Sequence, residues 1–384
     1  DSADACQQER LRKRFARSML SGEDVVLPHG GDAPPIFEHG LPPGAAELPE
    51  AVAHEPDKPT LTYAQKWSLP EADKSLFGLD GLWATATSCD GMVFVWPIEH
   101  ESATPPCVRC IHAHNDVVTD YVMDWERMVS ISCGLDCTIN LWAIEDQQRL
   151  ATIKNDSGMS IQDAFFSVDG DNSVGKAIVG DGRGKVKVAD VEVGKILFRM
   201  NGHSRSVYGV RAEWDQNMAV TCSWDKTVKV FDLRTGKQAR SLAGHHCVCN
   251  RIDVNFDMQL AVTCAWEHQI IMWDLKSGQM IKSLPSHRAN DVCVDWTRFV
   301  AATGGDDSCI KLWDLESGEC TRTIDCGFKS CLAVDVDWER GLLLAGSVDK
   351  VVKLYDIVTG EQLREYRKAR RVITQCWLQK AGSS

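Results

Sequence analysis

Apolar and polar residues alternate in short runs along most of this chain. Ser206–Glu213 alternates, Met218–Ser223 is apolar, Thr227–Asp232 alternates again, and Gln238–Leu242 closes the group. Period-two alternation over such lengths is the pattern of a half-buried strand, so the group reads as four short strands. Asp225-Lys226 and Arg234-Thr235-Gly236 supply turn chemistry between them. The group then recurs. The phrase at Ser223–Asp232 (SWDKTVKVFD) has near-copies ending at Trp96, Trp142, Trp273, Trp313 and Tyr355, and a degenerate one at Ala189. Successive markers lie 46, 47, 42, 42, 40 and 42 residues apart. Trp125, Trp214, Phe256, Trp296 and Trp338 form a second ladder, ending the first strand of their units.

A period of about 40–45 residues with four strands per unit is the signature of a β-propeller. Seven units fill residues 74–366, and such units bury their faces against one another in one closed body. The chain therefore reads as all-β, a seven-bladed propeller over 61–384 with an extended N-terminal arm. Closure has two candidates. The last unit has its own fourth strand in Gln362–Arg367, followed by Val372–Leu378, while Thr60–Leu69 offers another strand. Either removes the open edge and leaves the other as an add-on.

Composition changes the picture in three places. The net charge of −12 disfavours a grip on nucleic-acid phosphates, which needs a basic face. Sixteen cysteines look like a disulfide framework, but Cys133, Cys222 and Cys264 fall on inner strand positions, where Cys acts as a small buried hydrophobe. A chain with its own large core needs no such framework, which points to reduced thiols and an intracellular, most simply cytoplasmic, setting. No run of about 18 apolar residues exists, so no membrane span is expected.

The N-terminal region stands apart. Residues 9–20 (ERLRKRFARSML) place Leu11, Phe15 and Met19 at i, i+4 spacing beside five cations, so 1–20 reads as a basic amphipathic helix. Residues 21–60 hold eight of the 13 prolines without periodicity, an extended arm suited to lying on another subunit. A chain starting at Asp1 without Met is read as a fragment or as a form whose leader was removed. The latter would make the protein organellar.

The repeated residues resemble the WD-repeat family. Its members carry Gly-His before the first strand, and that His joins a Ser/Thr, a turn acid and the Trp in a buried network. Gly202-His203 and Gly244-His245 carry the dipeptide here, while His114 and His287 lack the Gly. His-to-acid spacing is 22 residues for His114–Asp136, His203–Asp225 and His245–Glu267, and 20 for His287–Asp307. The resemblance implies complete tetrads at His114, Ser132, Asp136, Trp142 and at His287, Thr303, Asp307, Trp313. Partial ones follow at His203, Thr221, Asp225, with Phe231 for Trp, and at His245, Thr263, Trp273, with Glu267 for Asp. Units one, three and seven lack the His, and unit three has Arg183 at the acid position, so these blades are expected to be less rigid. A Ser, a His and an Asp within reach also describe a hydrolase triad, but in this family they satisfy buried polar groups.

The resemblance also implies a partner-binding face, built from positions three and five after the His and one before the turn acid. These are Ser206, Tyr208 and Trp224; Val248, Asn250 and Trp266; Asn290, Val292 and Asp306. Trp and Tyr are enriched in binding hot spots, and Trp224 and Trp266 fall on neighbouring blades. The expected partners are other proteins, held through this face and the arm in a hetero-oligomer, with no cofactor and no catalysis. Two alternatives stand beside that scaffold. Phe231-Asp232-Leu233-Arg234 is similar to the string by which some members dock on a cullin-type ubiquitin-ligase adaptor. An accessory structural subunit of an organellar complex would suit the basic helix and absent Met.

Other strings fail on context. Gly170–Ala177 (GDNSVGKA) lacks the metal-binding hydroxyl of a phosphate loop and leads into a strand. Asp169, Asp171 and Ser173 start like a calcium loop but lack its Gly and final Glu. Cys107, Cys110, His112 and His114 are soft ligands within eight residues and admit a zinc reading. Against it, His114 is committed to its tetrad and alternation sets Cys107 opposite Cys110 and His112. Arg364, Arg367, Lys368, Arg370 and Arg371 form a basic stretch that reads as a solvated edge or a dock for an acidic partner or lipid headgroups. A propeller enzyme or metal site would show a polar, acid-lined central channel. The apolar segments Val220–Cys222 and Leu342–Ala345 point away from one.

Overall fold

The computed structural model describes residues 82–98, 106–155, 164–171 and 175–380. The expected helix at 1–20, the arm at 21–60 and the candidate strand Thr60–Leu69 lie outside the described residues. Those described form seven four-stranded antiparallel sheets.

Blade 1 contains Trp83–Ser88, Met92–Pro97 and Arg109–His112, and Ile373–Leu378 pairs with Trp83–Ser88 to complete it. Blade 2 runs Val118–Asp124, Val129–Gly134, Thr138–Ala143 and Gln148–Lys154. Blade 3 runs Phe165–Asp171, Lys176–Asp181, Lys185–Asp190 and Lys195–Asn201. Blade 4 follows with Val207–Glu213, Met218–Ser223, Thr227–Asp232 and Lys237–Ala243, and blade 5 with Cys249–Asn255, Leu260–Ala265, Gln269–Asp274 and Gln279–Pro285. Blade 6 holds Ala289–Asp295, Val300–Gly305, Cys309–Asp314 and Cys320–Asp325; blade 7 holds Cys331–Asp337, Leu342–Ser347, Val351–Asp356 and Gln362–Arg367. The first strand of each of blades 2–7, together with Ile373–Leu378 in blade 1, neighbours its counterparts around the ring.

Ring closure is thus settled in favour of the C-terminal strand. Gln362–Arg367 is the outer strand of blade 7, and Ile373–Leu378 is the innermost strand of blade 1. This corrects the first unit, which takes its innermost strand from the far end of the chain. Joining the two ends inside one sheet pairs edges that would otherwise be open.

Seven apolar clusters hold the ring, one between each pair of adjacent blades. Between blades 4 and 5, for example, Val220, Cys222, Val230, Ile252, Ile271 and Trp273 pack together. Between blades 7 and 1 the cluster includes Ala84, Trp96, Leu344, Ile373, Cys376 and Leu378. A fully buried side chain of this size contributes about 1.5–3 kcal/mol. None of the fifteen described cysteines is in a disulfide. Burial pushes the Cys89 and Cys293 thiols up to about 12, which keeps them protonated and unreactive.

The channel overturns the expectation of an apolar centre. Val220–Cys222 and Leu342–Ala345 lie on second strands, not on the strands that face the axis. On the innermost strands, alternation brings Asp120, Arg251, Asp291 and Gln375 to one level and Asp169, Arg211, Asp253 and Asp335 to the next. The carboxylates are occupied by neighbouring blades. Val168 N–H donates to Asp120 at 3.1 Å, Ala212 to Asp169 at 2.8 Å, Val294 to Asp253 at 2.8 Å, and Val334 to Asp291 at 3.0 Å. The same bond from Leu378 to Asp335, 2.8 Å, ties down the closing strand, with Lys380 Nζ 3.1 Å from the same carboxylate. These are blade-to-blade staples for buried backbone groups.

Candidate functional site

Each blade uses one backbone bond to fix the residue that follows its second strand. Cys89 N–H donates to Val372 O, Leu135 to Val117, Gly182 to Ala164 and Trp224 to Ser206. Trp266 donates to Val248, Asp306 to Arg288 and Val348 to Ser330. A second equivalent position lies in each innermost strand, where a β-bulge interrupts the ladder. Thr119, Tyr208, Asn250, Asn290, Leu332 and Thr374 occupy it. A bulge re-aims a side chain. Together these positions build one face around the channel mouth.

On blades 4–6 that face is continuous. The Tyr208 and Trp224 rings stack at 4.8 Å and 8°, and Trp224 meets Trp266 at 5.6 Å and 56°. The Arg288 guanidinium covers Trp266 at 5.0 Å, and Asp306 holds Arg288 at 3.3 Å. Asn290 Nδ2 donates to Asp306 at 2.7 Å and to Cys331 O at 3.0 Å. Tyr208 and Cys89 also pack against a small cluster of Val117, Leu135, Cys137 and Ala164. Both tryptophans remain half-buried. Asn250 is buried, and its side-chain oxygen has no hydrogen-bond partner. Beside Arg288 a cleft of about 440 Å³ opens between His268, Ser286, His287, Asp306, Asp307 and Lys311.

Blade 6 corrects one expectation. Val292 is buried between blades 5 and 6 instead of facing out. The loop after His287 is two residues shorter, so Asn290 occupies the bulge position that Tyr208 and Asn250 hold. The same shortening explains its 20-residue His-to-acid spacing.

Beneath the face run the His relays. In blade 5, Trp273 Nε1–H donates to Thr263 Oγ1 at 2.8 Å, which lies 2.6 Å from His245 Nε2, while His245 Nδ1 lies 2.5 Å from Glu267. Blade 6 repeats this through Trp313, Thr303, His287 and Asp307 at 2.9, 2.8 and 2.7 Å. A carboxylate only accepts and an indole N–H only donates, so Nδ1 carries the imidazole hydrogen and the Thr hydroxyl donates to Nε2. The closed relays are therefore those of blades 5 and 6. In blade 2, His114 reaches Ser132 at 2.7 Å and Asp136 at 2.9 Å, but Trp142 Nε1 is left without a partner. Ser132 lacks the β-branch that fixes a Thr hydroxyl toward both neighbours, and Asn140 crowds His114 at 3.2 Å. In blade 4, His203 binds Thr221 and Asp225 at 2.8 and 2.9 Å, with Phe231 against its ring.

Burial holds His203, His245 and His287 below their ordinary pKa, only partly offset by the paired acids. Burial pushes Asp136, Asp225 and Asp307 up, but hydrogen bonds from His and neighbouring groups outweigh it and leave all three low. For such a His the folded state resists the proton that the unfolded chain accepts near pH 6.5. Its stabilisation is complete above that pH and is lost as pH falls toward the folded pKa. Comparing wild type with His245→Gln by chemical denaturation, the stability difference should be largest above pH 7 and shrink by pH 5. A difference that grows on acidification would reverse the assignment. Asp291, pushed up by burial to about 6, has the opposite sign but cancels in this difference.

Blade 3 shows what the sequence reading missed. With no His and Arg183 at the acid position, it buries Lys187 and Asp181 as an ion pair at 2.9 Å, both side chains fully covered. Lys187 also donates to Asn155 at 2.7 Å, and Asp181 caps the N–H groups of Arg183 and Lys185 at 2.9 and 2.8 Å. A lysine in the third strand and an aspartate closing the second were the available signals.

The remaining motifs have plain places. Cys110 and His112 are exposed on the outer strand of blade 1, the Cys107 thiol lies 2.8 Å from Arg109 O, and no three metal-ligating side chains converge among the described residues. Gly170 and Asp171 end one strand and Lys176 opens the next, with 172–174 outside the described residues. Asp232, in the adaptor-like string, caps its turn at Arg234 N and Thr235 N as Asp274, Asp314 and Asp356 do in theirs. In the basic stretch, Arg367 pairs with Glu365 while Lys368, Arg370 and Arg371 are exposed on the link to the closing strand. No described helix is long and apolar enough to cross a membrane.

Comparison with known proteins agrees with this geometry. The family model for the WD domain, G-beta repeat, matches residues 194–232, 236–274 and 278–314, which run from the outer strand of blade 3 through blades 4 and 5 to the third strand of blade 6. No curated protein sequence matches the chain. Among solved structures, the crystal structure of the computationally designed Ika8 protein is similar, with a TM-score of 0.58 at 23% identity over 76% of this chain and 86% of that one. At that identity it speaks for the fold alone. Matched repeats at 194–314 and seven blades closed into a ring make the chain a WD-repeat β-propeller protein.

Proposed function

We propose that this chain is a non-catalytic scaffold that receives a protein partner on the face of blades 4–6, as a subunit of a larger assembly. WD-repeat propellers are in general protein-interaction scaffolds. The observation that carries the finer reading is the unbroken row Tyr208–Trp224–Trp266–Arg288–Asp306 across three blades. Large amphipathic aromatics and Arg clustered at the centre of a face are what binding hot spots are made of. Fifteen described cysteines outside any disulfide suit an intracellular setting. The arm at 21–60 supplies a second attachment in this reading.

The test is affinity purification of the full chain beside Trp266→Ser and Arg288→Ala, followed by direct binding of each purified partner. At least one partner should lose about ten-fold or more in affinity with the melting transition still cooperative. Partners that all bind both variants as well as wild type would sink the proposal. Loss on Arg234→Ala with the face variants unaffected would favour the ubiquitin-ligase receptor instead.

A further inference from the structure

The rim beside Trp224 has an uneven charge state despite the acidic net charge of −12. Its two carboxylates are withdrawn. Asp181 is fully covered against Lys187. Asp225, with its side chain 9% exposed, is shared among His203, Ser204 N and Thr227. The cations are not withdrawn. Arg205 and Lys226 are exposed, and neither side chain has a hydrogen bond or ion pair among the described residues. The backbone beneath them is fixed. Arg205 O accepts from Ser223 Oγ at 3.0 Å, and Lys226 sits in the tight turn after Trp224 at φ 71° with its N–H bound to Ser223 O. Two free cations on a rigid backbone therefore flank one end of the aromatic row.

From this we infer that the face takes a short acidic peptide segment. Its carboxylates meet Arg205 and Lys226, and one apolar side chain lies against the edges of Trp224 and Trp266. The inference rests on the reading of that face as the partner site. Charges beyond about 8 Å are screened at physiological salt, so a short segment meets the local rim and not the remote acids. A nucleic acid, charged along its whole length, meets both. Arg288 does not compete for the acidic residues, since Asp306 already holds it.

The probes are three fluorescein-labelled ligands on the full chain. One is a short Glu-rich peptide with one Phe, one is its Lys-rich counterpart, and one is a single-stranded oligonucleotide of equal charge. Anisotropy should show the Glu-rich peptide binding about ten-fold more tightly than the Lys-rich one, and more weakly as salt rises. Arg205→Glu with Lys226→Glu should remove about ten-fold of that affinity at an unchanged melting temperature. No binding of the Glu-rich peptide, equal binding of the Lys-rich one, tighter binding of the oligonucleotide, or indifference to charge reversal would overturn the inference. Binding of the Lys-rich peptide that is lost in Trp224→Ala with Trp266→Ala would keep the face and discard its acidic specificity. Binding of the Glu-rich peptide that survives the Trp variants would instead discard the face itself.

Discussion

A chain ended after Arg371 is expected to lose its cooperative melting transition and to bind a hydrophobic dye. The cut removes Ile373–Leu378 and exposes the edge of Trp83–Ser88. It also strips Val372, Ile373 and Leu378, each almost fully buried, from the closing region, and leaves Asp335 without the Leu378 N–H it accepts at 2.8 Å. Three such side chains contribute roughly 1.5–3 kcal/mol each, on the order of the whole stability of a typical domain. Loss of the ladder bonds adds to this. Supplying the missing strand as a synthetic peptide should restore the transition, a result that general misfolding would not give. If the shortened chain melts as wild type does, the C-terminal strand is not what closes the ring.

The second large effect concerns blade 3. Lys187→Met leaves the fully covered Asp181 carboxylate without its cation. Breaking a buried pair on one side costs about 3–5 kcal/mol. Asp181→Asn keeps an oxygen for the N–H groups of Arg183 and Lys185, so the double variant should recover most of the loss. Urea denaturation of the four proteins gives the coupling directly. Additive losses would mean that the pair does not replace the missing His relay.

Much of the fold was legible because the repeat is written in side chains that pack. The Trp or aromatic at each marker and the small buried residues of second strands recur at a fixed period. Regular His-to-acid spacing likewise located the His–acid pairs of blades 2, 4, 5 and 6. What escaped depended on three-dimensional adjacency. Nothing in Ile373–Leu378 says that it belongs with Trp83–Ser88, since the partner lies at the opposite end of the chain. The channel carboxylates are hidden from the pattern because the conspicuous apolar segment Val220–Cys222 lies one strand farther out than the strand that faces the axis. Trp142 fits the pattern of a tetrad but does not close one, because a serine hydroxyl is freer than a threonine's. Val292 falls off the face because the loop after His287 is two residues short, which shifts the count from that His. Apart from Trp142, each of these departures is of register or of topology, the two properties that a pattern of residues leaves least constrained.

The repeated backbone bond after each second strand has an evolutionary consequence. Because the main chain alone makes it, the side chain there is free to change without cost to that bond. The seven positions read Cys89, Leu135, Gly182, Trp224, Trp266, Asp306 and Val348. They act as a seven-letter word displayed on a constant frame, open to respelling one letter at a time. A lineage carrying this frame can trade one partner for another by substitution at the rim while the ring beneath stays closed.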